Sequence, residues 1–248
     1  VGAGGANYEI VGMGDILVRW VVGKDKFRPY LGNLEEDLRR RITDEVADSA
    51  PGDTFLNLVE IEEDGDRIEV IGEFVNYGFF LASREYPDLK EVICPVGVSG
   101  MIILSEEEGE YTVFARRGKG VARYAGYLEL VPSGGIDRGC ALGDGSVDYR
   151  VKLISELYEE CGIPPQAVEE TISLALVLDK GENVYDVCCL LKISSDRDTV
   201  RAGLTAGGEY DQPIFVATSD LEFFTKKNHR MMVSTTLGIV EAYRRRIG

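Results

Sequence analysis

Three glutamates stand close together in Ser155-Glu156-Leu157-Tyr158-Glu159-Glu160-Cys161-Gly162-Ile163. At about 100° per residue on a helix, Glu156, Glu159 and Glu160 share an arc of roughly 100°. Leu153, Ile154, Leu157 and Cys161 fall on the neighbouring arc and can pack on a sheet. Like charges at this spacing repel by a few tenths of a kcal/mol per pair. Glu159 and Glu160 also sit near the helix C-terminus, where the dipole disfavours negative charge. A divalent cation offsets both costs. Mg²⁺ takes oxygen ligands and keeps waters and substrate phosphates in its shell, and Mn²⁺ accepts the same donors. The competing reading is a solvated acidic face beside Arg150 and Lys152.

The context of this helix narrows the choice. A short strand runs into Pro132-Ser133-Gly134-Gly135, and a glycine-rich loop leads from there to the helix. Strand, glycine loop and Glu-apolar-x-Glu-Glu-x-Gly-apolar ending together resemble the Nudix box of the Nudix hydrolase superfamily. The resemblance covers residues 96–247. It implies an α/β/α sandwich around a mixed sheet, with Glu156, Glu159 and Glu160 as ligands of Mg²⁺ (or Mn²⁺). It further implies a hydrolase that cleaves the diphosphate linkage of a nucleoside diphosphate derivative, such as a nucleotide sugar. Glu156 and Glu160 are then catalytic, and Gly134 and Gly135 approach the substrate. The chain departs from the family at two places. Ser155 stands where the family has Arg, and Val147 stands where it has its first Glu. The loop after Gly135 is also longer, with Asp144 and Asp148 as candidate replacements. These departures support an alternative, a catalytically weak Nudix-fold module that binds a nucleotide or a protein partner.

Nudix enzymes often recruit a further acid from a later loop. Glu209, in Gly207-Gly208-Glu209-Tyr210-Asp211, is the catalytic candidate, and Glu182 is a weaker one. A diphosphate also needs cationic partners, and arginine offers bidentate geometry. Arg116 and Arg117 lead the densest basic patch, with Lys119 and Arg123, just before the glycine loop. Tyr124, Tyr127 and Tyr158 could stack on a base or simply pack. The lone histidine, His229, reads as the start of the last helix.

The elements that must position these residues follow from periodicity. Strands are expected at 16–22, 98–104, 111–115, 128–131, 171–178, 184–193 and 214–217, and a hairpin at 54–61 and 67–71. Helices are expected at 34–46, 148–161 and 230–246, with a short one capped by Ser219 or Asp220. Residues 77–82 are ambiguous. The loop 84–90 is the expected boundary between an N-terminal α+β lobe (1–90), serving assembly or substrate specificity, and the Nudix-like domain (91–248).

The 248 residues include 43 acidic and 27 basic side chains, a net charge of −16. Phosphate polymers and anionic membranes need a clustered positive field, so a small nucleotide-type substrate is the expected partner. A homodimer is the candidate assembly. No apolar run approaches the roughly 20 residues of a membrane helix, and no signal-peptide pattern opens the chain. The five cysteines form no Cys-x-x-Cys pair. They read as reduced, buried thiols of a cytoplasmic protein, with Cys188 and Cys189 on opposite faces of a strand.

Overall fold

A computed structural model describes residues 7–22, 53–121 and 123–247, together with 32, 36 and 39–43. Among the described residues eleven strands form one mixed sheet. In chain order they are β1 (Tyr8–Met13), β2 (Asp15–Trp20), β3 (Thr54–Asp64), β4 (Arg67–Asn76), β5 (Pro95–Glu106) and β6 (Gly109–Arg117). Then come β7 (Leu128–Leu130), β8 (Ser133–Gly135), β9 (Val168–Asp179), β10 (Val184–Ile193) and β11 (Tyr210–Ala217). The helices are α1 (Tyr77–Glu85), α2 (Tyr149–Cys161), α3 (Arg197–Gly207), α4 (Leu221–Asn228) and α5 (Ser234–Ile247).

The main path of the sheet is β1-β9-β10-β5-β3-β4-β2, and β6, β7, β8 and β11 branch from it. β10 and β5 run parallel, while β9 and β3 flank them antiparallel. Both central strands are near-continuous apolar runs, as burial on two faces requires. Val187, Cys189 and Leu191 of β10 enter one core with Leu153 and Leu157 of α2 and Val200 and Leu204 of α3. Cys188 and Leu190 enter the other, with Ile239, Val240 and Ala242 of α5. Period-2 alternation therefore builds the α/β/α layering, and it places the paired cysteines on opposite faces as expected. All five cysteines are free.

Strands from both sides of residue 90 share this sheet. Ile16, Val18, Leu56, Ile68 and Val70 lie in the same core as Val96, Val98 and Leu176. The earlier residues also contribute a smaller cluster of Ile42, Phe55, Phe80 and Ala82, closed by Leu89 and Ile93. The described strands before residue 90 thus share one sheet with those after it.

Several expectations need correction. The ambiguous 77–82 segment is α1, started by Asn76, whose Oδ1 accepts from the Gly78 N–H at 2.7 Å. α3 and β1 were not anticipated. α3 starts at an Asp196 cap, which accepts from the Thr199 N–H at 2.8 Å. The expected last helix is broken: a 3-10 turn at His229–Met231 precedes α5. The expected helix 34–46 lies largely outside the described residues, although residues 39–43 are helical. Among the described residues no helix is long and apolar enough to cross a membrane.

Candidate functional site

α2 is fixed at both ends by its own sequence. Asp148 caps the start, accepting from the Arg150 N–H at 3.2 Å. Gly162 ends it in the left-handed region at φ 66°, where the Gly162 N–H reaches the Tyr158 carbonyl at 2.9 Å. Leu153 and Leu157 are fully buried, so the Glu156 and Glu160 side of the helix meets β8. The contact is tight. A Cβ on Gly134 would fall 2.3 Å from Glu156 Oε1 and 2.6 Å from its Cγ. Only glycine leaves room for this carboxylate. Glu156 also takes an ion pair from Lys152 Nζ at 2.7 Å. Burial raises its pKa, and Lys152 opposes that rise.

Glu160 is 7% exposed. Among the described residues its hydrogen bond comes from the Ser133 N–H, at 3.3 Å. Its pKa is pushed up to about 9, by burial first and then by Glu129, Glu209 and Glu156. Glu129, in the middle of β7, is the residue that the sequence reading missed. It is buried and paired with Arg117. It also accepts from the Tyr210 hydroxyl at 3.3 Å and the Ser133 hydroxyl at 3.4 Å. Burial raises the Glu129 pKa and the Arg117 guanidinium opposes this. A charged residue between two buried leucines, Leu128 and Leu130, was the available signal: a buried charge needs a partner.

Arg117 also meets Glu209, with Nη2 3.3 Å from Oε1. Glu209 lies in the loop before β11, as expected. The structure therefore gathers Arg117, Glu129, Glu156, Glu160 and Glu209 around Ser133 and Gly134. Other candidates fall elsewhere. Glu159 is exposed and accepts from the Ser155 hydroxyl at 2.7 Å. Arg116 donates to the Gly126 carbonyl at 2.7 Å, which closes the loop after β6. Asp144 folds back on Ser146, and Val147 is buried. Tyr158 is exposed, and His229 begins the 3-10 turn. Gly135 has open space where a side chain would stand.

The donor set has the chemistry of a hard divalent cation: oxygen donors only, with one carboxylate buried beside three others. As these side chains stand, among the described residues no three His, Cys, Asp or Glu form a group that could hold a metal ion. Glu156 is engaged by Lys152 and Glu159 by Ser155.

Part of the cluster lies in one part of the wall of a pocket of about 410 Å³, which Glu156 and Glu160 do not line. Arg117, Glu129, Ser133, Gly134, Gly135 and Glu209 line that part. Phe55, Tyr77, Phe80 and Arg84, from β3 and α1, line another, with Arg123 and Tyr124 from the β6–β7 loop. Between them stands Asp186 of β10, beside Ser99 and Thr235. Its pKa is pushed up to about 6, chiefly by burial.

No family model matches the chain, and no curated protein sequence matches it. Solved structures do match, and several of them are Nudix-domain proteins by name. One is the NUDIX domain of Shewanella oneidensis NrtR complexed with ADP ribose, at 15% identity, covering 62% of this chain and 88% of that one, with a TM-score of 0.43. Another is a mutT/nudix family protein from Listeria innocua, at 12% identity, covering 61% and 92%, with a TM-score of 0.44. A third is a C. elegans Ap4A hydrolase binary complex, at 14% identity, covering 61% and 96%, with a TM-score of 0.42.

Proposed function

We propose that the chain is a Mg²⁺-dependent hydrolase of the Nudix type, cleaving a diphosphate linkage in a nucleoside diphosphate derivative. The observation that carries this reading is the packing of Glu156 and Glu160 against Gly134 and Ser133, which with Arg117, Glu129 and Glu209 line a pocket large enough for a nucleotide. Glu156 and Glu160 would hold the metal, with Glu159 as the further ligand that the sequence resemblance implies. When bound, the metal neutralises the diphosphate and lowers the pKa of a water molecule. The protein's own groups do the rest. Arg117 offers cationic donors to a phosphate oxygen, held in place by its pair with Glu129. Gly134 and Gly135 let backbone approach the substrate. Glu209 is the candidate base, held near the cluster by Arg117. The residues before 90 serve substrate specificity, since Phe55, Tyr77, Phe80 and Arg84 all face the pocket.

The test is a screen of nucleotide sugars, dinucleotides and nucleoside triphosphates with and without Mg²⁺, read as released nucleotide or phosphate. The expected result is Mg²⁺-dependent turnover that Glu160→Gln abolishes. The second reading, a nucleotide-binding module with weak or no activity, is favoured by Ser155. It occupies Glu159 in place of the family's arginine. Clear nucleotide binding with no turnover above the Glu160→Gln background selects that reading.

A further inference from the structure

The pocket holds a feature that hydrolysis of the diphosphate does not use. Two arginines stack on one ring: the Arg123 guanidinium carbon lies 4.5 Å from the Phe80 ring centre, and that of Arg84 lies 5.1 Å from it. Arg84 comes from α1, and Arg123 comes from the β6–β7 loop. Like charges gathered in this way repel, and the aromatic face offsets only part of the repulsion. Burial lowers the Arg123 pKa, and Arg84 lowers it further. Glu182 Oε2 stands 3.1 Å from Arg123 Nε but off the N–H direction, so the buried Nε–H has no acceptor.

The charged groups nearest this pair differ from those nearest Glu160. The groups that act most strongly on Arg123 are Glu182, Arg84, Tyr77 and Asp179. Those that act on Glu160 are Glu129, Glu209 and Glu156. Yet Glu129 and Glu209 line the same pocket as Arg84 and Arg123. We propose that Arg84 and Arg123, stacked on Phe80, form a second anion subsite, and that the ligand carries a phosphate there in addition to the diphosphate that is cleaved. A phosphate suits the place: it offers several oxygens to two planar guanidinium forks and carries enough charge to satisfy both. The inference rests on reading the pocket as a nucleotide site, but it concerns binding and not turnover.

The experiment is calorimetric titration of the full chain without metal, using adenosine 5′-monophosphate and adenosine 3′,5′-bisphosphate as probes. The bisphosphate is expected to bind at least tenfold more tightly. That advantage should shrink below about threefold in Arg84→Gln and in Arg123→Gln. Arg84 is exposed, so Arg84→Gln reports on binding even if the half-buried Arg123 proves necessary for folding. Equal affinity of the two probes, binding of neither, or an undiminished advantage in Arg84→Gln would overturn the proposal. A bisphosphate preference without diphosphate hydrolysis leaves the subsite standing and removes the hydrolase reading. Hydrolysis without the preference does the reverse.

Discussion

Glu156 occupies the space that a side chain at Gly134 would fill, with Oε1 only 2.3 Å from the position of that missing Cβ. The first metal-ligand candidate is thus positioned by an absence in the opposing strand. Gly134→Ala should push Glu156 away from β8 without disturbing the buried face of α2. A displacement of about 1 Å at a catalytic group can cost on the order of 100-fold. The expected outcome is a fall of at least tenfold in kcat/KM, with a melting temperature within a few degrees of wild type. Steady-state kinetics and thermal melts on the same sample check it. Full activity in the variant would show that the close approach is incidental.

Arg117 and Glu129 are both largely buried, at 14% and 11% side-chain exposure. Removing one partner of such a pair strands the other charge, at a typical cost of about 3–5 kcal/mol. Arg117→Met should therefore destabilise strongly. The double variant Arg117→Met/Glu129→Leu should recover most of the loss, because no buried charge then lacks a partner. Urea unfolding of the four proteins gives the coupling. A double variant no better than Arg117→Met alone would mean that the pair is not energetically linked.

The sheet and the glutamate-bearing helix were legible in the sequence for different reasons. β5 and β10 announce themselves as long apolar runs, and α2 by its 3.6-residue period, Asp148 cap and Gly162 stop. Glu156 and Glu160 followed from that period. Glu159 shares their arc in projection, yet it is turned to solvent and held by Ser155, a choice among rotamers that spacing does not contain. Glu129 could not be placed from its three-residue strand. Its role depends on the register that brings Gly134 opposite Val98 and Leu128 opposite Arg116. α1 was ambiguous because its aromatic residues, Tyr77, Phe79 and Phe80, suit a strand equally well. The arginine pair on Phe80 joins residues far apart in the chain, and only the folded structure brings them together.

Asp186 supplies a pH test at a residue outside the candidate metal ligands. Burial pushes its pKa up to about 6, with Glu129 and Asp179 adding to the rise, while Thr235 and Ser99 hydroxyls oppose it. A carboxyl with a raised folded pKa favours the folded state while it is protonated. That contribution is present in full below the unfolded value near 3.9. It is lost as pH rises through about 6. Asp186→Asn is neutral at every pH. The variant should gain roughly 3 kcal/mol over wild type at pH 7.5, and the gap should close toward pH 4. Thermal or urea unfolding of both proteins from pH 4 to 8 measures this. Parallel curves for the two would place the ionisation of Asp186 outside the folding equilibrium.

The last prediction concerns the residues before 90. Cutting the chain to residues 92–248 would remove β1 from the edge of β9 and β3 from beside β5. It would also strip Ile16, Val18, Leu56, Ile68 and Val70 from the core that holds Val96, Val98 and Leu176. Each buried aliphatic side chain is worth roughly 1.5–3 kcal/mol. The combined loss is comparable to the whole 5–15 kcal/mol by which a typical domain is stable. Two strand edges would be exposed as well, and unprotected edges invite aggregation. The fragment is therefore expected to be insoluble, or to bind a hydrophobic dye and lack a cooperative melt. It would also lack Phe55, Tyr77, Phe80 and Arg84, a whole part of the pocket wall. Co-expressing residues 1–91 as a separate chain discriminates further: recovery of soluble protein would show that the two segments assemble through the shared sheet. A soluble, cooperatively melting 92–248 fragment would instead restore an independent lobe, with its boundary near residue 90.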